Sequence, residues 1–196
     1  AAPFIEHVLF RSTANGFTVY ETGFDDRKGT MEAWVFCGPP ADHHWQGTGP
    51  LFEIRNLKPE SSQRVWIDGV FKQSALIPQY ETTVDGNTLK VVGKPMKANQ
   101  WHHIATAWDA KKGVKAIYVD GKLSGKGPYR PTDCAGEGLT IGWVGFGPIA
   151  EVRLSNVVRR PGIQKKPYPT DKNTLLLLHF NEQPGQPIKD SSKPGR

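Results

Sequence analysis

The sequence predicts an all-β chain folded as a sandwich of two antiparallel sheets. Three observations carry that expectation. The 196 residues include 21 glycines and 16 prolines, a density of breakers that leaves little room for long helices. The apolar stretches are short, and turn signals such as Asn15-Gly16, Asp68-Gly69 and Asp85-Gly86-Asn87 recur between them, the rhythm of a sandwich rather than of a helical bundle. Residues 101–123, WHHIATAWDAKKGVKAIYVDGKL, read as one hairpin with a Lys-Lys-Gly turn and a closing Asp120-Gly121.

In chain order, Phe4–Arg11 and Phe17–Glu21 are short strands flanking Asn15-Gly16. Thr30–Cys37 alternates Met31, Ala33, Val35 and Cys37 against Glu32, Trp34 and Phe36. Both of its faces are largely apolar, which predicts a central strand. Gly38–Pro50 is a loop holding His43, His44 and Trp45, and Leu51–Arg55, Arg64–Ile67, Val70–Phe71 and Ala75–Ile77 are short strands around an Asp68-Gly69 turn. Tyr80–Val84 and Thr88–Val92 form a hairpin. Within the 101–123 hairpin, His102, Ile104, Thr106 and Trp108 share one face, and His103, Ala105, Ala107 and Asp109 the other. Leu139–Val144, Ile149–Leu154 and the strongly apolar Leu175–Phe180 complete the strands. Residues 1–180 are read as a single sandwich domain, and 181–196 as a tail or the start of a following domain. The first residues, Ala1-Ala2-Pro3, show no charged region leading into an apolar core, so no signal-peptide pattern is present. They fit either a mature start or a boundary. No apolar run reaches the length of a membrane-spanning helix.

Four motifs carry a family resemblance: Met31-Glu32-Ala33-Trp34-Val35, Trp101-His102-His103-Ile104-Ala105, Tyr118-Val119-Asp120-Gly121, and Glu151-Val152-Arg153-Leu154-Ser155-Asn156 after Ile141-Gly142. Each alone is weak. In this order they resemble the laminin-G-like domains of the concanavalin-A-like superfamily. The resemblance implies a two-sheet antiparallel jelly roll, with Trp34, Trp101 and Trp108 used in packing. Asn173–Phe180 resembles a strand that follows this domain in bacterial and phage surface proteins, and Asp190-Ser191-Ser192 resembles the phrase that opens such a domain. One departure concerns calcium. The family often places an Asp before Glu-Val-Arg, where it helps hold the ion, and here that position is Ala150. Loss of a hard oxygen weakens such a site, so no cofactor or metal is expected, with a weakly held calcium ion as the alternative.

Catalysis finds little footing. Jelly-roll glycosidases need two carboxylates at a fixed separation, which on one strand would read as alternating acidic residues. Glu32 and Glu53 stand alone in their strands, and neither GxSxG nor HExxH occurs. His43-His44 and His102-His103 are adjacent pairs. On a strand, neighbours point to opposite faces, so each pair offers one ligand at most, and hydrogen-bonded or solvent-facing imidazoles are expected instead. Cys37 and Cys134 are the only cysteines; they fit either one disulfide of an exported protein or two separate thiols. The net charge of +6 is spread over Lys111-Lys112, Arg159-Arg160, Lys165-Lys166 and scattered lysines. That fits solvated loops and edges or attraction of an anionic partner. No nucleic-acid-binding motif accompanies it.

Three tryptophans fall outside the resembled core motifs: Trp45 in a polar loop beside His44, Trp66 alternating with Arg64, and Trp143 at a strand end. Sugar rings stack on such side chains. The expected function is a non-catalytic carbohydrate-binding module of an exported or cell-surface protein. Its polysaccharide partner, anionic in one version of this expectation, would be held by Trp143, Trp45, Trp66, Arg64 and His44. The alternative is an adhesion or spacer module of a surface or tail-fibre protein.

Overall fold

A computed structural model describes residues 16–38, 50–56, 60–70, 75–142, 148–163, 166–183 and 185–192. The expected strand Phe4–Arg11 lies outside them. The described residues form thirteen strands: β1 (Phe17–Val19), β2 (Lys28–Cys37), β3 (Phe52–Asn56), β4 (Ser61–Val70), β5 (Ala75–Val84), β6 (Asn87–Val92), β7 (Met96–Lys97), β8 (Gln100–Asp109), β9 (Val114–Val119), β10 (Lys122–Pro128), β11 (Leu139–Ile141), β12 (Ile149–Ser155) and β13 (Thr174–Leu178). They make two antiparallel sheets. Sheet A runs β1-β11-β3-β4-β5-β6, with β7 pairing β5, and sheet B runs β10-β9-β8-β2-β12-β13. This is the predicted jelly-roll sandwich.

Period-two alternation decides which side chains meet between the sheets. Met31, Ala33 and Val35 of β2 and Ile104 and Trp108 of β8 face Phe52, Ile54, Val65, Ile67 and Tyr80 of sheet A, all buried. At about 1.5–3 kcal/mol for each large side chain removed from water, this layer supplies the main drive to fold. β2 is central, between β8 and β12, as its two apolar faces predict. Both Asp-Gly turns behave as sequence chemistry dictates: Asp85 and Gly86, then Asp120 and Gly121, all take positive φ, the backbone of a two-residue hairpin turn that matches strand twist.

Two expectations fail. Asp68-Gly69 is not a turn. β4 continues through it, pairing Asp68 with Ile77 and Gly69 with Leu76, because a full-length partner strand overrides a local turn preference. β5 likewise runs unbroken through Pro78, at the point where its outer partner changes from β6 to β7; an imide nitrogen is tolerated there because no ladder bond is asked of it. β10, missed from sequence, closes one side of the sandwich. A Cβ on Gly125 would lie 2.6 Å from the Val92 carbonyl oxygen, so only glycine lets β10 approach β6 that closely. Of the two readings of the cysteines, the separate thiols hold: Cys37 and Cys134 are both free and buried. Burial, with Asp120 nearby, pushes the Cys37 thiol up to about 12.

One ionisable group enters the core itself. Lys115 of β9 points between the sheets, its Nζ donating to Thr82 Oγ1 at 2.8 Å and to the Leu89 carbonyl at 2.5 Å, 4.8 Å from the centre of the Tyr80 ring.

Candidate functional site

The outer face of sheet A carries the side chains that alternate with its core residues. The strand register aligns them in a row: Thr18 opposite Thr140, Thr140 opposite Glu53, Glu53 opposite Arg64, Arg64 opposite Glu81, and Glu81 opposite Lys90. Opposite charges at directly facing positions attract. Arg64 Nε lies 3.0 Å from Glu53 Oε1, and Lys90 Nζ 3.3 Å from Glu81 Oε1. The Thr18 and Thr140 hydroxyls share a hydrogen bond of 2.9 Å. The next row sets Trp66 opposite Gln79 and Gln79 opposite Val92, and the Arg64 guanidinium carbon is 5.9 Å from the Trp66 ring centre. Acceptors, donors and one half-buried indole thus lie side by side on a single sheet face.

Of the residues singled out from sequence, Arg64 and Trp66 share this face. Trp45, His44 and Trp143 lie outside the described residues. The strand ends that border their segments do meet at one end of the sandwich: Gly142 N–H donates to Leu51 O at 3.0 Å, Phe36 N–H to Pro148 O at 2.9 Å, and Leu51 N–H to Val65 O at 2.7 Å. Trp66 follows Val65 at that end.

The outer face of sheet B is built differently. The chain after β12 runs over it, held by Thr30, whose Oγ1 donates to Val157 O and accepts from Arg159 N–H, each at 2.8 Å. Arg159 clasps Asp171 with two bonds of 2.9 and 2.8 Å, and this holds the Asp171 carboxyl well below its ordinary range. Tyr168, from the same segment, packs with Trp34, Ala150 and Leu177. Beneath it lies an enclosed polar network that sequence reading missed. Arg153 donates to Glu32 Oε1 at 2.9 and 2.6 Å, His103 Nε2 is 3.2 Å from Glu32 Oε2, and the Tyr168 hydroxyl meets the same imidazole nitrogen. Glu151 Oε1 accepts from Tyr168 N–H at 2.8 Å and lies 2.7 Å from His179 Nδ1. Burial would raise the Glu32 carboxyl, but the His103 contact and the Arg153 charge outweigh it and hold the carboxyl below its ordinary value. The available signal was a Glu within a strand apolar on both faces: such a charge must find a partner.

His102, on the core side of β8, is hydrogen-bonded through both nitrogens, Nδ1 to Asp120 Oδ2 at 2.8 Å and Nε2 to the Lys97 carbonyl at 2.7 Å. These two nearer partners accept, which fits the imidazolium, while Gln100 Nε2 lies farther off, 3.2 Å from the same His102 Nε2. Burial opposes that charge, yet the Asp120 hydrogen bond and the Lys97 carbonyl raise the His102 value above the ordinary. Both imidazoles of this pair are therefore structural. Among the described residues no group of three His, Cys, Asp or Glu side chains is placed to hold a metal ion. Ala150, where the family's pattern puts an Asp, is packed against apolar side chains and supplies no side-chain oxygen.

A two-sheet jelly roll with one polar sheet face that no described segment crosses defines a lectin-like class of domain. The chain belongs to the concanavalin A-like lectin/glucanases superfamily, whose laminin-G-type family pattern matches residues 11–161. Among curated protein sequences none matches it. Similar solved structures include a candidate carbohydrate-binding protein from Bacteroides ovatus, at 16% identity and a TM-score of 0.57, covering 89% of this chain and 52% of that one. Domain 4 of an extracellular arabinanase from Geobacillus stearothermophilus, in complex with arabinotriose, matches at 16% identity and a TM-score of 0.51, over 74% of this chain and 68% of that one. A tailspike protein of an Escherichia coli O157:H7 bacteriophage matches at 10% identity and a TM-score of 0.54, over 84% of this chain but 25% of its own length. This chain thus spans about half of the Bacteroides protein and a quarter of the tailspike. At these identities the likeness is one of fold.

Proposed function

We propose that this domain is a non-catalytic carbohydrate-binding module of an exported or cell-surface protein, and that it takes a polysaccharide on the outer face of sheet A. The observation that carries the reading is the row Thr140–Glu53–Arg64–Glu81–Lys90 running beside Trp66. Sugar hydroxyls donate and accept at once, and a row of alternating carboxylates and cations offers both partners at every step. An indole beside that row adds the apolar term for a sugar ring's C–H face. The reading keeps Trp143, Trp45 and His44 as candidate contacts, because the described strand ends that border their segments meet beside Trp66. The superfamily and the carbohydrate-linked relatives support the same reading. Glu53 and Glu81 act as hydrogen-bonding groups rather than as an acid and base pair, since each is engaged by a cation. No calcium is required, because Ala150 replaces the family's acidic ligand.

Affinity electrophoresis across neutral and acidic polysaccharides, arabinan among them, tests the reading. At least one gel should retard the wild-type domain, and Trp66→Ala should reduce retardation about tenfold or more, the worth of one stacked ring, with little change in melting temperature. No retardation in any gel would favour the rival, an adhesion or spacer module.

A further inference from the structure

The far side of the sandwich holds a concave feature. On the outer face of β8, β9 and β10 a groove of about 280 Å³ opens among the described residues. Register explains its floor: Ala107 faces Ala116, and Ala116 faces Lys126. Two alanines on adjacent strands leave a depression that larger side chains would fill. Tyr118 and Leu123, also opposite each other, form one wall. The other wall is Val158, carried by the segment that Thr30 and the Arg159–Asp171 clasp fix in place. Leu123 is 50% exposed and Val158 46% exposed, so apolar surface is presented to solvent at both lips. Lys126 stands at the rim, and Asp109 and Lys112 close one end with Nζ 3.6 Å from Oδ2.

We propose that this groove is a binding subsite for an anionic sugar, a uronic acid residue of an acidic polysaccharide. The volume suits one ring, whose C–H face would rest on the Ala107–Ala116 floor and against Tyr118. The carboxylate of the ring would pair with Lys126 or Lys112, and Asp109 would accept from a ring hydroxyl. A peptide strand suits the groove less well. The groove floor lies on β8 and β9, each paired on both sides, and only β10 ends the sheet on that side, so a strand laid over the Ala107–Ala116 floor finds no open edge there, whereas a sugar can leave its remaining hydroxyls in water. The site lies on the opposite sheet from the surface proposed above and does not rest on that reading; together the two would let one domain hold two chains, or two stretches of one.

Titration of the domain, labelled with ¹³C at its alanine methyls, with trigalacturonate at about 0.15 M salt tests the proposal. The Ala107 and Ala116 methyl signals should shift and saturate. Lys126→Glu should weaken binding about tenfold or more, as loss of one charge-assisted contact implies. Ala107→Leu, which puts its side chain into the groove, should abolish binding; if that variant does not fold, Lys126→Glu, at an exposed position, still decides. Trp66→Ala should leave this titration unchanged, so the two surfaces fail independently. The proposal is overturned if trigalacturonate, oligomannuronate and hyaluronan hexasaccharide all leave both methyls unmoved. It is equally overturned if polyglutamate or neutral maltotriose shifts them as strongly, since that would mean attraction to any polyanion or to any sugar.

Discussion

The outer faces of the two sheets use the same side-chain chemistry to opposite ends. On sheet A, Glu53, Arg64, Glu81 and Lys90 form ion pairs at the surface, with Lys90 the most open. On sheet B, Glu32, Arg153 and His103 form a network almost wholly shut off from water. The difference comes from what lies above. The segment after β12 crosses sheet B and lowers Tyr168 onto the network, while among the described residues nothing comparable crosses the Glu53–Lys90 row. A polar row on a sheet is therefore neither a site nor a structural device by composition. Whether a segment covers it decides.

The largest effect that would break this comparison is at Glu32. Glu32→Ala strands Arg153 and His103 without their shared carboxylate, and should cost about 3–5 kcal/mol, the penalty of an uncompensated buried charge. Chemical denaturation of purified variant and wild type measures it. A loss below about 1 kcal/mol, a surface-pair value, would show that the covering segment does not exclude water.

A smaller effect belongs to the His102–Asp120 pair, which stands between the extremes: the imidazole is enclosed, while the Asp120 side chain is 37% exposed. The folded His102 value is raised, so its stabilisation is fully present below the unfolded value of about 6.5 and is lost as pH rises through the folded one. The folded Asp120 value is lowered by the His102 contact and the His103 backbone amide against the opposing pull of burial. Its contribution is therefore present above the unfolded value of about 3.9 and is lost as pH falls. Melting temperatures should show this pair contributing most between those two values, and His102→Gln should remove the decline on the alkaline side. A decline that survives the substitution would assign it elsewhere.

The smallest stability effect is expected where binding is expected to suffer most. Arg64→Ala removes the centre of the row on sheet A and should cost under about 1 kcal/mol, while weakening retardation by the polysaccharide that retards wild type. A loss as large as that of Glu32→Ala would place Arg64 in the structural class and remove the basis of the proposed surface.

The sandwich was legible because its signals are local. Asp85-Gly86 and Asp120-Gly121 needed positive φ wherever the chain went, and Thr30–Cys37 and the hairpin of residues 101–123 carried their faces in plain alternation. β10 was not legible: LSGKGP has no apolar alternation, and its glycines answer to Val91 and Val92, far off in sequence. The continuation of β4 through Asp68-Gly69 was hidden for the same reason, its cause being the length of β5. At the site, the sharing of one face by Arg64 and Trp66 follows from period two. The row from Thr140 to Lys90 does not, because it depends on the register of five strands, and register is a property of pairs.

Lys115 gives the protein a titrating core. Burial pushes its ammonium down to about 7, with the Glu81 charge pulling the other way. In the unfolded chain the same group keeps the ordinary value of 10.5, so between the two values the unfolded state holds more protons and stability climbs with pH. That slope runs against the one set by His102. Near neutrality the two oppose each other, one proton leaving an ion pair at the sandwich edge as another leaves the interior. The two slopes partly offset each other, so replacing Lys115 alone should steepen the alkaline decline set by His102.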